Sequence, residues 1–315
     1  MNIAYLILAH NQPLQLKRLV DRLNQENIHF FIHFDRKYKD VASVGNMFGE
    51  YRNVVFISEY DVYWGGFSTV RAAQKIMKIA SGAPVDFKYY VYLSGQDYPI
   101  KSNEYINNFF ENSSSDFIAY HRMEHLPDSF RNKYRFFHFL DFKYINPRDK
   151  HKSKLLYYIN YGFYRRFGKF IPHRSFYKDF VPYFGSDWFT LTDDTVKYIL
   201  EFVERNKDYS DFMKYTDIPN ELFVHNIILN SPRKTNIYDY AKYLEWLNYK
   251  KEGELFQSGY STLKYMDWTD RGKPLPATLD LSYFEDLRKT KDLFARKMDE
   301  KASADLLNKI DSELL

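Results

Sequence analysis

The chain has 315 residues and a net charge of +4, with a pI near 8.7, so it can form one large α/β domain or two small ones and is only mildly basic. That charge suits anionic ligands such as nucleotide diphosphates and is no signature of nucleic-acid binding. The chain has no cysteine, which excludes disulfides, thiolate catalysis and cysteine-based zinc sites.

Aromatic residues make up 19% of the chain, with 29 Tyr and 28 Phe, a composition met at sugar sites, at membrane interfaces and in cores alike. No stretch approaches the roughly 20 apolar residues of a transmembrane helix. MNIAYLILAHNQP lacks the basic start and small-residue cleavage site of a signal peptide, so it reads as a buried strand, and the expected location is the cytoplasm.

In chain order, IAYLILAH (3–10) predicts a first buried strand. NQPLQLKRLVDRLNQ follows as a helix, with Leu14, Leu16, Leu19, Val20 and Leu23 at helical spacing. HFFIHFD (29–35) and NVVFIS (53–58) predict two more strands, and Ser68 is placed to cap a helix through TVRAAQKIMKIA. YYVYLSG (89–95) predicts a fourth strand. This alternation implies a mainly parallel sheet with helices on both faces, where ligands gather at the strand carboxyl ends. AHN, HFDRK, YWGG and SGQDYP lie at such ends. KLLYYINYGFYRRFGKFIPHRSFYKDFVPYF (154–184) interleaves aromatics with six Lys/Arg and one acidic residue. GSDWFTLTDDTVKYILEFVERN predicts a strand, a turn at Thr192–Asp194 and a helix. Residues 251–280 read as loop, and the stretch from Tyr283 to the last residue reads as helix with one polar face.

Several motifs carry chemistry. In TDIPNELFVHNIILNSP (216–232), Pro219 and Asn220 predict a helix start, which puts Glu221 at the lip of an apolar helix. Glu221 then either stabilises the helix dipole, by about 0.3–1 kcal/mol, or serves as a general base on a rigid element. Glu221 and His225 stand at i, i+4, but two ligands make no metal site. There is no Asp-x-Asp to hold a divalent ion on a diphosphate, and neither G-x-G-x-x-G nor G-x-x-x-x-G-K-[ST] occurs. A nucleotide-sugar enzyme of this sequence must therefore neutralise its leaving group with cationic side chains. HFDRK (33–37) reads as a solvated turn or as a ligand-facing Asp. The glycines of YWGGFS (63–68) permit a tight turn or close backbone approach to a ligand. Lys264, Arg271, Arg296 and Lys297, in LKYMDWTDRG and LFARKMD, either converge on phosphate or form a solvated face.

Taken together, these segments resemble the core-2/I-branching β-1,6-N-acetylglucosaminyltransferase and peptide O-xylosyltransferase family. IAYLILAH followed by IHFDRK is similar to that family's opening strands, YWGGFS to the Trp-Gly-Gly of its xylosyltransferase branch, and YLSGQDYPIKSN to its Ser/Cys-Gly-x-Asp block. GSDWFTLT, PNELFVHNIILNSP and LFARKMD complete the series in order over nearly the whole length.

The resemblance implies an α/β, variant GT-A nucleotide-sugar fold in one catalytic domain (1–315), with a nucleotide-binding half to about residue 120 and an acceptor-binding and catalytic half beyond it. It implies an inverting glycosyltransferase that uses a UDP-sugar donor of the GlcNAc, xylose or galactose type and needs no divalent metal and no other cofactor. Glu221 maps to the family's catalytic base, and Lys264 and Lys297 to its diphosphate-binding cations, with Arg271 in a stretch that aligns poorly. Asp35 and His10 would contact the uracil-ribose end, with Tyr63 and Trp64 walling that pocket. Asp187 and Trp188 would line the sugar site, and Glu124 and Arg135 resemble acceptor-side positions. Asp97 is either a site residue or a bond within its own turn.

The animal relatives' anchor and cysteines are missing, so the chain looks like a bacterial member acting in capsule, lipopolysaccharide or exopolysaccharide assembly on a glycan or lipid-linked glycan acceptor. Residues 154–184 would suit an anionic membrane face, each Lys/Arg adding about 1 kcal/mol, or would pack internally or bind acceptor. Two rival readings are a non-catalytic carbohydrate-binding protein on the same fold and a single-strand nucleic-acid binder, the latter disfavoured by the modest charge.

Overall fold

A computed structural model describes residues 1–141, 166–167, 170, 173–251, 253–260, 262–269 and 275–315. Its centre is a six-stranded sheet made of β1 (Asn2–Ala9), β2 (Ile28–Phe34), β3 (Val54–Ile57), β4 (Phe87–Ser94), β6 (Phe117–Arg122) and β7 (Tyr183–Thr192), in the order β3-β2-β1-β4-β7-β6. β1, β2, β3 and β4 pair in parallel, and only β7 runs against its neighbours. This is the mixed α/β, mainly parallel architecture expected from the alternating pattern.

Strand alternation divides the interior into two cores. Ile3, Tyr5 and Ile7 of β1 face one core, closed by the helices Pro13–Leu23, Asn103–Glu111 and Ala304–Glu313. Ala4 and Leu6 face the other, closed by Phe67–Ser81, Asp193–Arg205 and Phe223–Leu229. Burial on both faces explains why these strands read as continuous apolar runs. In the first helix Leu16, Leu19, Val20 and Leu23 are buried, but Leu14, in the first turn, is exposed.

Three local expectations are corrected. Ser68 is not the cap of its helix. Gly66 takes the N-cap position, and Asp141, 73 residues further on, accepts hydrogen bonds from the Ser68 backbone (3.0 Å) and hydroxyl (2.7 Å). Asn220 caps nothing either: Ile218, in the left-handed region (φ 52°), leads into a short 3-10 turn Pro219–Glu221, and the α-helix begins only at Phe223. Lastly, β8 (Lys264–Met266) lies within the expected loop and β9 (Phe294–Arg296) within the expected terminal helix. Together with β5 (Tyr98–Pro99) they form a second sheet, in the order β5-β9-β8.

Within 154–184, residues 154–165, 168–169 and 171–172 lie outside the described residues. Of the remainder, Phe170 is exposed, whereas Tyr177 is core and Arg174 donates to the carbonyls of Phe136, Phe212 and Tyr215. The Arg174 guanidinium also rests on the Phe137 and Phe212 rings. Among the described residues no helix is long and apolar enough to cross a membrane.

His225 is fully buried against β7, where a Cβ on Gly185 would meet its ring at 2.6 Å. Burial lowers its pKa from 6.5 to about 4, outweighing the backbone of Ala119 and Ser186, which favours the charged ring. Between those pH values the unfolded chain binds a proton that the folded chain refuses. The contribution of His225 to stability is therefore intact above pH 6.5 and lost as pH falls towards 4. His225→Leu should flatten the acid side of a plot of Tm against pH, and an unchanged slope would contradict this assignment.

Candidate active site

The carboxyl ends of β1, β2 and β4 open on one cleft of about 250 Å³. Ala9, His10 and Asn11 line it from the end of β1, His33 and Asp35 from β2, and Ser94, Gly95 and Gln96 from the turn after β4. Val62, Trp64 and Thr69 close one side, and Asp187, Trp188 and Arg296 the other. Gly95 is required where the turn crosses β1, because a Cβ there would lie 2.9 Å from that of Ala9.

Asp35 ends β2 as a turn-organising carboxylate. It accepts from the backbone of Lys37 (3.0 Å) and Val62 (3.2 Å) and pairs with the Lys37 ammonium at 2.7 Å. It thereby ties β2 to the loop that carries Trp64, which is 61% exposed at the mouth. The buried His33 accepts from the Tyr60 backbone through Nε2 (3.1 Å) and stacks on that ring. Burial lowers the pKa of His10. Asp35 opposes this, and Lys37, Arg296 and Lys297 lower it further, which places the two late cations near the end of β1.

The opposite wall is built on a buried charge cluster. Asp97 is fully buried; it accepts from the Ser94 backbone (2.7 Å) and hydroxyl (3.2 Å) and pairs with Lys264 at 2.8 Å. It is thus a bond within its own turn and also the anchor of the late cations. Lys264 also donates to the Tyr92 carbonyl (2.8 Å), and burial lowers its pKa to about 8, with Asp97 holding it up. Arg296 Nη1 lies 3.7 Å from Asp97, too far for a hydrogen bond, and among the described residues neither its Nε nor its Nη1 hydrogens have a partner. Both cations sit on the Trp188 ring, 3.8 Å (Lys264) and 4.0 Å (Arg296) from its centroid. Arg296 is 8% exposed and faces the cleft, so it is a desolvated cation with unused donors.

Of the expected site residues, His10, Asp35, Trp64, Asp187 and Trp188 line this cleft. Lys264 stands behind the wall, because the pairing of β8 with β9 turns it towards Asp97. Lys297, the residue after β9, is half-buried, and burial followed by Arg296 lowers its pKa. Tyr63 is buried behind Trp64, with Lys37 over its ring. Glu221 is half-buried on a turn held from both sides: Ile218 donates to the Gly65 carbonyl (3.0 Å), and the Asn220 side chain bonds Asp187. Burial raises the pKa of Asp187 against that bond.

Glu124 and Arg135 are not in the cleft wall. Glu124 is exposed beside Arg122 and His125, and Arg135 pairs with Asp128. Arg271 lies outside the described residues. Asn11 and Gln96 also line the cleft; neither had been given a role, although AHN and SGQDYP were marked as strand ends where ligands gather.

Residues 3–288 match the family model described as Core-2/I-Branching enzyme. Xylosyltransferase 2 of Mus musculus is 27% identical over 256 residues, covering 76% of this chain and 26% of its own length. Xylosyltransferase 1 of the same organism is 25% identical over 249 residues, covering 76% and 23%. The chain thus spans about a quarter of the length of the xylosyltransferases it matches. Among solved structures, S. aureus TarS 1–349 covers 80% of this chain and 67% of its own at 11% identity and a TM-score of 0.35. Mouse xyloside xylosyltransferase 1 covers 74% and 83% at 12% identity and a TM-score of 0.31. With the family model matched over nearly its whole length, this chain belongs to the Core-2/I-Branching enzyme family.

Proposed function

We propose that the chain transfers a sugar from a UDP-sugar to a hydroxyl of a glycan acceptor, with inversion and without a divalent metal. The observation that carries this reading is Arg296, a desolvated cation with unspent donors, in the cleft where the parallel strands end. A diphosphate there would take up those donors, and Lys297 beside it would add a second positive charge. Lys264 supports this arrangement from behind by anchoring Asp97 and the Trp188 ring.

In this mechanism the acceptor oxygen attacks the anomeric carbon as Glu221 takes the hydroxyl proton. The bond from that carbon to the phosphate oxygen breaks, and its electron pair leaves with UDP. Arg296 and Lys297 meet the charge that develops on the phosphate. Asp187 accepts from the donor sugar's hydroxyls, Trp188 packs on the sugar's C–H face, and Asp35 and His10 hold the nucleoside end. Assembly of bacterial surface polysaccharide on a lipid-linked acceptor suits this chemistry.

The test is UDP release from UDP-GlcNAc, UDP-xylose and UDP-galactose, each in excess EDTA. Release from one of them names the donor. Release that requires added Mg²⁺ or Mn²⁺ contradicts the metal-independent reading.

A further inference from the structure

A second cleft, of about 410 Å³, opens elsewhere on the sheet and shares no residue with the first. Tyr105, Asn108 and Phe109 line it from the helix Asn103–Glu111, Asn112 from that helix's C-cap, and Tyr238 and Tyr260 from two later loops. Phe117, which opens β6, also lines it and is level with Val91 through Thr190. The cleft therefore sits at the amino-terminal end of β6, level with the middle of β4. It lies roughly 10 Å or more along the strands from Ser94 at the donor cleft, at about 3.3 Å per residue.

The rings form a connected wall. Phe117 stacks on Tyr238 at 5.4 Å, and Tyr260 meets Tyr238 and Phe109 edge-on at 5.4 and 5.5 Å. Tyr105 is 46% exposed, and its phenol and that of Tyr238 lie close enough to raise the pKa of Tyr260, after burial, which raises it most. Charged residues make up 27% of the chain, yet among the described residues none lines this cleft. The nearby Lys291 ammonium is turned onto the Tyr260 ring.

We propose that this cleft is a second glycan-binding site, which holds a distal, uncharged part of the acceptor polymer. The proposal rests on the glycosyl-transfer reading for its ligand class. Aromatic faces pack on the apolar C–H faces of sugar rings. Side-chain amides and phenols both donate and accept, as hydroxyl-rich ligands require. A lining free of charge matches a neutral sugar and offers no cation to the phosphates of a nucleotide or a phospholipid headgroup. A polymer held here presents its growing end to the first cleft at raised local concentration.

The test measures binding of chitohexaose, cellohexaose and xylohexaose to the UDP-saturated chain by calorimetry. It compares wild type with Tyr105→Ala and Asn108→Ala, both exposed positions, and checks folding by thermal melts. At least one hexaose should bind, at least tenfold weaker in each variant, with UDP affinity and UDP release unchanged. No binding by any hexaose, or binding unaffected by both substitutions, overturns the proposal. UDP release is read separately, so loss of the second site and failure of the transfer reading are distinguishable.

Discussion

Glu221→Gln should lower the rate of UDP-sugar turnover by about 10²–10⁴-fold, the range for loss of a general base, while UDP affinity stays nearly unchanged. The amide keeps the shape of the side chain and cannot take the acceptor's proton. Bonds from its neighbours hold the turn that carries it. Ile218 is bonded to Gly65, Pro219 starts the 3-10 turn, and Asn220 is bonded to Asp187. The variant should therefore fold and bind nucleotide normally, and the loss should fall on kcat. Full activity in the variant would remove Glu221 from the mechanism. Binding of donor without turnover in the wild type as well would favour a carbohydrate-binding protein on this fold.

Asp97→Ala should destabilise the fold by about 3–5 kcal/mol, the range for stripping one partner from a buried ion pair. Asp97 and Lys264 are both almost wholly excluded from water and 2.8 Å apart. Without the carboxylate, Lys264 keeps only the Tyr92 carbonyl, the Ser94 backbone loses its acceptor, and Arg296 loses its nearest countercharge. Urea unfolding of Asp97→Ala measures the loss. Adding Lys264→Met to that variant should recover part of it, since no orphaned ammonium remains. A loss below about 1 kcal/mol would mean that Lys264 is not committed to Asp97 and is free to serve a ligand.

The sequence marked the place of the cleft more clearly than its chemistry. AHN, HFD, YWGG and SGQ all come to one opening, because alternating apolar strands and amphipathic helices impose a parallel sheet, and a parallel sheet gathers its loops at one end. The late cations were legible as a group but not in their division of labour. Which of Lys264 and Arg296 faces the cleft depends on the pairing of two three-residue strands, and the residues Phe294–Arg296 carry too little pattern to be seen as one. The Asp141 cap was hidden for another reason: it joins residues 73 apart, beyond any local capping rule. Asn220 shows the opposite failure, a strong local cap signal overruled by the tertiary bond to Asp187 and the left-handed Ile218.

Cationic side chains at the end of β9 are central to this account, and calorimetric titration of UDP in excess EDTA tests them most directly. The wild-type chain should bind UDP without metal, and Arg296→Ala should bind it about 10²-fold more weakly, as for loss of charge-assisted hydrogen bonds to the phosphates. UDP binding that disappears in EDTA, or that survives unchanged in Arg296→Ala, would contradict the account.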